Sequence, residues 1–242
     1  MSEASVIIRY TNRSLSRARN LKILLDYIWP LNNIEIILSV MEHDIKIKHK
    51  KVHKIFSPDK FESAKANNIG AHNASTNIFI FQDADIMFHR KCYQKIINNI
   101  NSGFGSIRVG ERCVNLGENN IPKLKRNPEL ILRHEFNSCF RDAPGACIAL
   151  SRKSFKDVGG HCELFKVYGW EDVYFRYKVK KLTSQKCLNQ QMIHLPHEIN
   201  YQMGKQAVNA ELYQELLSVD GGDCIKMSNR DREDLLRKYP NI

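Results

Sequence analysis

Residues 77–86 have the sequence Asn-Ile-Phe-Ile-Phe-Gln-Asp-Ala-Asp-Ile. Four consecutive apolar residues are typical of a central strand that is buried on both faces. The strand ends abruptly in two carboxylates, Asp83 and Asp85. Because ligands bind at the carboxyl ends of the strands in open α/β sheets, we expect these two acids to lie at the ligand-binding edge.

The sequence on the amino-terminal side predicts a βαβ unit. An apolar run over 5–10 is followed by polar residues, and a helix with its apolar side chains at i, i+3, i+4 and i+7 comes next. A second apolar run covers 34–40. Such a unit gives a parallel sheet with a right-handed crossover, so the predicted fold class is α/β, with a mostly parallel central sheet flanked by helices.

Several element boundaries are predicted from local signals. Residues 45–54 favour an edge strand with a basic face, and Ser57-Pro58 has the form of a helix cap followed by proline at the first helical position. Ser228-x-x-Asp231 has the form of a capping box that opens the last helix. Other helices are predicted near 93–100, 153–158 and 207–217, and a strand near 146–150.

Composition narrows the function classes. The chain has 242 residues, 43% of them hydrophobic, and a formal net charge of +11, which excludes general disorder and favours an anionic partner. A basic nucleic-acid-binding module is one alternative, but the sequence has no helix-turn-helix, zinc-finger or RNP-like signature. Seven scattered cysteines without a C-x-x-C pair indicate reduced thiols. No apolar segment is long enough for a membrane span and no leader is evident, so we expect a cytoplasmic protein.

Three groups of residues have side chains suited to a metal-binding or catalytic site. Asp83 and Asp85 at i and i+2 can reach one divalent cation and a diphosphate, although such a triplet is also common in solvated turns. Trp170 offers a face for a sugar ring, and the adjacent acids can accept a hydroxyl proton. The same residues would also fit a helix start with a core tryptophan. Imidazole from His194 together with carboxylates suits Mn²⁺ better than Mg²⁺, although paired histidines are often surface residues.

Four arginines surround the first predicted loop. Arg9, Arg13, Arg17 and Arg19 could bind phosphate or uridine, or could simply be solvated helix residues.

Taken in order, these motifs resemble the GT-A glycosyltransferases, in particular family-two enzymes with a galactosyltransferase-like C-terminal Gly-Trp-Glu-Asp motif. The stretches that carry the resemblance are 5–14, 61–75 with 78–87, 144–161 running into 168–173, and 192–198. The resemblance implies a GT-A fold in a single domain over 1–242. Its nucleotide-sugar-binding half would cover about 1–100, its acceptor-binding half about 101–200, and C-terminal helices 201–242.

The resemblance also implies roles for individual residues. The residues it assigns to the nucleotide sugar are Tyr10, Asn12, Arg13, Lys65, Asn68, Asp83 and Ala84. The residues it assigns to the metal are Asp83, Asp85 and His194, with His197 as the alternative if the register differs. Asp172 corresponds to the catalytic base, Glu171 to its catalytic neighbour, and Trp170 with Glu171 to the acceptor-binding pair.

The implied activity is an inverting, Mn²⁺- or Mg²⁺-dependent sugar transfer from a UDP-sugar to a saccharide or lipid-linked oligosaccharide. The donor sugar would be galactose, N-acetylgalactosamine, N-acetylglucosamine or glucuronic acid, and the product a polysaccharide, capsule or glycoconjugate. We expect the basic surface to make peripheral contact with anionic membrane at its inner face. No nucleic acid is expected as a partner. The alternative is an inactive relative that serves as a scaffold in a polymerase complex.

Overall fold

The computed structural model describes residues 2–47, 51–110, 113–133, 145–166, 169–198, 203–219, 221–240 and 242. The strands are β1 (Ala4–Tyr10), β2 (Ile34–Met41), β3 (Val52–Ser57), β4 (Ile78–Asp83), β5 (Ile86–Met87), β6 (Ser106–Arg108), β7 (Cys113–Asn115), β8 (Cys147–Ser151), β9 (Gln185–Cys187) and β10 (Met192–His194). The helices are α1 (Leu15–Ile28), α2 (Ser63–Asn73), α3 (Lys91–Asn101), α4 (Ile121–Arg126), α5 (Pro128–Arg133), α6 (Arg152–Asp157), α7 (Glu171–Leu182), α8 (Met203–Val219) and α9 (Cys224–Lys238).

Seven strands form the central sheet in the order β3-β2-β1-β4-β8-β6-β9. Strands β3, β2, β1 and β4 are mutually parallel, β8 is antiparallel to both of its neighbours, and β9 is parallel to β6. Strand β8 is therefore antiparallel to the other six strands. The predicted α/β class with a mostly parallel sheet is confirmed.

Helices cover both faces of this sheet, because alternate residues of β1 point to opposite sides. Val6 and Ile8 belong to one buried cluster, which also contains the apolar face of α1 and the isoleucines of α3. Ile7 belongs to a second cluster, with residues from α2, α6, α7 and α9. Burial on both faces explains the continuous apolar run that predicted β4.

A second, three-stranded sheet has the order β5-β10-β7. Strand β10 is antiparallel to β5, with His194 opposite Ile86, and parallel to β7, with His194 opposite Asn115. Strand β5 begins directly after Asp85. This small sheet therefore joins the end of β4 to a segment more than a hundred residues later in the chain.

Three boundaries differ from the predictions. The edge strand spans 52–57 rather than 45–54, so Ser57 is its last residue and helix α2 begins only at Ser63. The predicted capping box is also wrong, because α9 begins at Cys224, where the Asp223 side chain accepts hydrogen bonds from the amides of Ile225 and Lys226. Its supposed cap, Ser228, is buried inside the helix. Both sequence patterns are common at the starts of helices, but neither Ser57 nor Ser228 begins a helix in this structure.

The predicted helices near 93–100, 153–158 and 207–217 and the strand near 146–150 are confirmed with small shifts of their ends. Six cysteines lie in the described part of the chain, all are free thiols, and Cys187 alone is not fully buried. Cys139 lies outside the described residues. Among the helices described, none has the length and apolar character that crossing a bilayer requires.

Candidate active site

The carboxyl ends of β1 and β4 bring two charged side chains together. In the parallel register Arg9 is opposite Asp83, and a guanidinium nitrogen of Arg9 lies 2.8 Å from Asp83 Oδ1. The Asp83 side chain is 28% exposed. Strand β4 therefore presents Asp83 at the ligand edge as a carboxylate paired with its neighbour, while the next acid, Asp85, turns toward the second sheet.

Asp85, His194 and His197 form a group whose ligand atoms all lie within 4.8 Å of one another. The Nε2 atom of His197 is 3.1 Å from Asp85 Oδ2, and the Nε2 atom of His194 is 3.8 Å from the same oxygen. A carboxylate with two imidazoles is a donor set that first-row divalent cations accept. The described residues thus offer one position that could hold a metal ion.

Both imidazoles are oriented by a second contact. The Nδ1 atom of His197 lies 2.8 Å from the carbonyl oxygen of Glu198, and that of His194 lies 3.0 Å from Asn115 Oδ1. Because both contacts are to oxygen acceptors, each Nδ1 donates its hydrogen. The Nε2 atom of His197 donates to the Asp85 carboxylate when the ring is protonated, and in the neutral ring each Nε2 has a lone pair that can bind a cation. This is the arrangement that ligating histidines have in metal sites.

The charges of the three groups depend on one another. Burial favours the neutral form of Asp85, but the hydrogen bond with His197 and the charges of both histidines lower its pKa overall. The same hydrogen bond raises the pKa of His197, whereas burial lowers the pKa of His194. The carboxylate form of Asp85 is therefore favoured, as a metal ligand requires.

Helix α1 holds the segment that carries the histidines. The side chain of Asn20 donates to the carbonyl oxygen of Pro196 at 3.0 Å, and a guanidinium nitrogen of Arg19 donates to the same oxygen at 2.8 Å. Ser16 makes a further hydrogen bond to the carboxylate of Glu198. The backbone amide of Leu195 also donates to the carbonyl oxygen of Asp85 at 2.8 Å.

Helix α7 begins with two acids, Glu171 and Asp172. Gly169 and Trp170 both have positive φ, 101° and 72°, which turns the chain into the helix. For a bulky residue such as Trp170 this conformation costs about 1–3 kcal/mol and is typical of functional sites. Its ring packs against Tyr213 of α8 at a centroid distance of 5.2 Å. The preceding residue, Tyr168, lies outside the described residues.

Glu171 and Asp172 lie in different environments. Glu171 is 2% exposed, and its Oε2 atom has no hydrogen-bond partner among the described residues. Burial raises the pKa of Glu171, and the charge of Asp172 raises it further. Asp172 is partly exposed and packs against Gly145, where a Cβ atom would lie 2.6 Å from Asp172 Oδ2.

Burial and several charged neighbours act on the pKa of Asp83. Burial raises the pKa of Asp83 to about 7, against the lowering effect of Arg9. The charges of Asp85, Asp172 and Glu171 add to the rise. Four carboxyl groups from β4, the turn after it and α7 therefore share one electrostatic environment, which a bound cation would stabilise.

The residues assigned to the nucleotide have mixed surroundings. Tyr10 donates its hydroxyl hydrogen to Asn12 at 3.1 Å. Arg13 pairs with the glutamate that directly follows β2, and Lys65 pairs with an aspartate in the loop before α2. Ala84 lies in the turn between β4 and β5 and packs against the core. The side chain of Asn68 is buried and bonded to the backbone of His161 and to Glu163 at 2.8–3.0 Å. Its amide is thus already satisfied within the protein.

Sequence reasoning missed Asn115, which orients His194, and Gly145, which makes room for Asp172. Both act through partners far away in the sequence. Asn115 lies outside every motif, and Gly145 lies in the stretch 144–161 but was given no role. The geometry also groups His197 with Asp85 and His194, whereas Asp83 is held by Arg9.

The family model described as "Glycosyl transferase family 2" matches residues 5–159, more than half of the chain. The chain belongs to this family. The matched range of the glycosyl transferase includes Asp83 and Asp85 and ends before Glu171 and the two histidines. A search of curated proteins found no match.

The comparison with solved structures matches a structure described as "Crystal structure of GalNAc-T7 with UDP, GalNAc and Mn2+", with a TM-score of 0.60 and 16% sequence identity. The match covers 96% of this chain and 55% of that chain, so the glycosyl transferase spans about half the length of its structural neighbour. At this identity the match shows the fold, which is the GT-A fold that the sequence resemblance predicted.

Proposed function

We propose that this glycosyl transferase moves a sugar from a UDP-sugar to a saccharide acceptor with the help of a divalent cation, and that it inverts the anomeric configuration. The observation that carries the proposal is the convergence of Asp85, His194 and His197 at the carboxyl edge of the sheet. Support for the donor and the metal comes from the structural neighbour, whose description names UDP and Mn²⁺.

The residues fit a divalent cation. The site has one carboxylate whose charged form is favoured and two imidazoles whose Nδ1 atoms are already engaged, so a lone pair from each residue would converge once both rings are neutral. Mixed nitrogen and oxygen ligands favour Mn²⁺ over Mg²⁺. Asp83 is the remaining ligand predicted from sequence, and its pairing with Arg9 suits it better to orienting the donor next to the ion.

A cation bound there would supply the positive charge that stabilises the departing nucleoside diphosphate. Side chains of the protein would bind the acceptor and accept its proton. Asp172, in the first turn of α7 and partly exposed, would accept the proton from the attacking acceptor hydroxyl. Glu171, whose pKa burial raises, would form a hydrogen bond with the acceptor sugar, and Trp170 would lie against the sugar ring.

The donor and acceptor need separate assignments. The four donor candidates are UDP-galactose, UDP-N-acetylgalactosamine, UDP-N-acetylglucosamine and UDP-glucuronic acid. The acceptor would be a saccharide or a lipid-linked oligosaccharide, met at the inner face of an anionic membrane to which the net charge of +11 attracts the protein.

The test is a calorimetric titration of the four UDP-sugars with and without Mn²⁺, combined with an assay for released UDP. We expect Mn²⁺-dependent binding of one donor, with loss of that binding in Asp85→Ala and in His197→Ala. Asp157→Ala is the matched control, because Asp157 is exposed and pairs only with Lys153 within the described chain. Absence of binding to every donor by the folded protein would contradict the proposal.

A further inference from the structure

Arg17 differs from the other arginines around the first loop. Three of the four arginines are each paired with a carboxylate: Arg9 with Asp83 at 2.8 Å, Arg13 with Glu42 at 2.8 Å and Arg19 with Glu118 at 2.7 Å. Within the described residues the guanidinium of Arg17 has no carboxylate partner. It therefore carries a positive charge that the described part of the chain leaves without direct compensation.

The position of Arg17 places that charge beside the Asp85–His194–His197 group. Arg17 lies in the first turn of α1, directly after Ser16, which bonds to Glu198. The next turn of the helix contacts Pro196 through Arg19 and Asn20. The amino-terminal half of α1 thus lies along the segment that contains both histidines.

Electrostatic effects agree with this placement. Burial lowers the pKa of His194, and the charge of Arg17 lowers it further. The same charge acts on Asp85 and His197, and on Tyr10 at the end of β1. The positive end of the 14-residue helix α1 adds to this field.

A positive side chain next to a cation site is unfavourable unless an anion lies between them. A diphosphate carries enough negative charge to interact with the ion and with a guanidinium together, and a guanidinium can bind phosphate oxygens with two donors. We propose that Arg17 binds the diphosphate of the donor and opposes binding of the metal ion alone, so that metal and nucleotide bind cooperatively. This inference rests on the proposed function.

The test compares Arg17→Gln with Lys22→Gln, since each removes one positive charge from α1 and Lys22 is an exposed residue paired with Asp26. Free Mn²⁺ is followed by electron paramagnetic resonance, and UDP, inorganic diphosphate and uridine are titrated at saturating Mn²⁺. In Arg17→Gln we expect Mn²⁺ alone to bind about threefold tighter. We expect UDP and inorganic diphosphate to bind about tenfold weaker or more. Uridine binding should not change.

The opposite changes in affinity for Mn²⁺ and for the diphosphate ligands distinguish a diphosphate contact from a structural role. A structural role would weaken the binding of every ligand. Arg17→Lys keeps the charge, so it should bind Mn²⁺ alone as weakly as the unmodified protein does. If the unmodified protein binds Mn²⁺ and UDP but Arg17→Gln behaves as Lys22→Gln does, the inference on Arg17 is overturned and the proposed function stands. If the unmodified protein binds neither ligand, both are overturned.

Discussion

The buried ion pair between Lys178 and Asp231 provides a quantitative test of how α7 is held in place. Lys178 of α7 is 0% exposed, and Asp231 of α9 is 5% exposed. The ammonium group also donates to the carbonyl oxygen of Gly160 at 3.3 Å. Replacing Asp231 by leucine leaves that ammonium buried without its charged partner, which costs about 3–5 kcal/mol.

The expected loss for Asp231→Leu corresponds to a fall in melting temperature of about 6–20 °C, at about 2–4 °C per kcal/mol for a chain of this size. The double variant Lys178→Met/Asp231→Leu replaces both charges by apolar groups, and we expect it to regain most of the loss. Urea unfolding of the two single variants and the double variant measures the coupling directly. The control is Asp157→Leu, which breaks an exposed pair and should change stability by at most about 0.5 kcal/mol.

Two results would refute this reasoning. A loss below about 1 kcal/mol in Asp231→Leu would mean that water or another group compensates the ammonium. A double variant as unstable as the sum of the single variants would mean that the two residues contribute independently.

Two further predictions concern pH and the space around Asp172. Burial lowers the pKa of His161 well below its usual value. As the pH decreases, the imidazole is therefore protonated in the unfolded chain before it is protonated in the folded protein. The free energy of unfolding should decrease at pH values under about 6.5, by up to about 1.4 kcal/mol per pH unit. His161→Phe, which can still stack on Phe175, should lose this part of the pH dependence in urea midpoints measured from pH 5 to 7.5. In Gly145→Ala the new methyl group must displace Asp172, so UDP release in the presence of acceptor should fall at least about tenfold while donor binding persists. Gly117→Ala, where the added methyl group meets no atom closer than 4.0 Å, should keep full activity; equal rates in the two variants would contradict the role given to Asp172.

The central strands could be predicted from sequence because their signal is local and strong. The run Ile78–Phe81 needs no partner to indicate a buried strand, and β4 lies where it predicts. The start of α9 could not be predicted in the same way. Ser228 and Asp231 match a capping box, but Asp231 is used by a lysine on another helix, while Asp223 caps the helix five residues earlier.

Some residues of the candidate site could likewise be predicted from the sequence, and others could not. Resemblance to a family assigned Asp83, Asp85 and His194 to the metal, with His197 as the alternative. The structure groups Asp85 with both histidines and pairs Asp83 with Arg9. The partners that orient them are not local. The bond between Asn115 and His194 joins residues 79 positions apart, and no periodicity or motif marks it in the sequence. The side chain of Asn68, assigned to the donor from its motif, also has hydrogen-bond partners far away in the sequence, His161 and Glu163.

Main-chain hydrogen bonds, rather than the side chains of the ligands, set the separation between Asp85 and His194. Strand β10 pairs with β5 directly beside Asp85, and the amide of Leu195 donates to the Asp85 carbonyl oxygen. Sites that fold only around their metal lose their structure when the ion leaves. Here a chelator would leave a folded chain with its ligands in register, so the ion can be withdrawn and replaced, and its occupancy would follow the supply of metal and nucleotide in the surroundings.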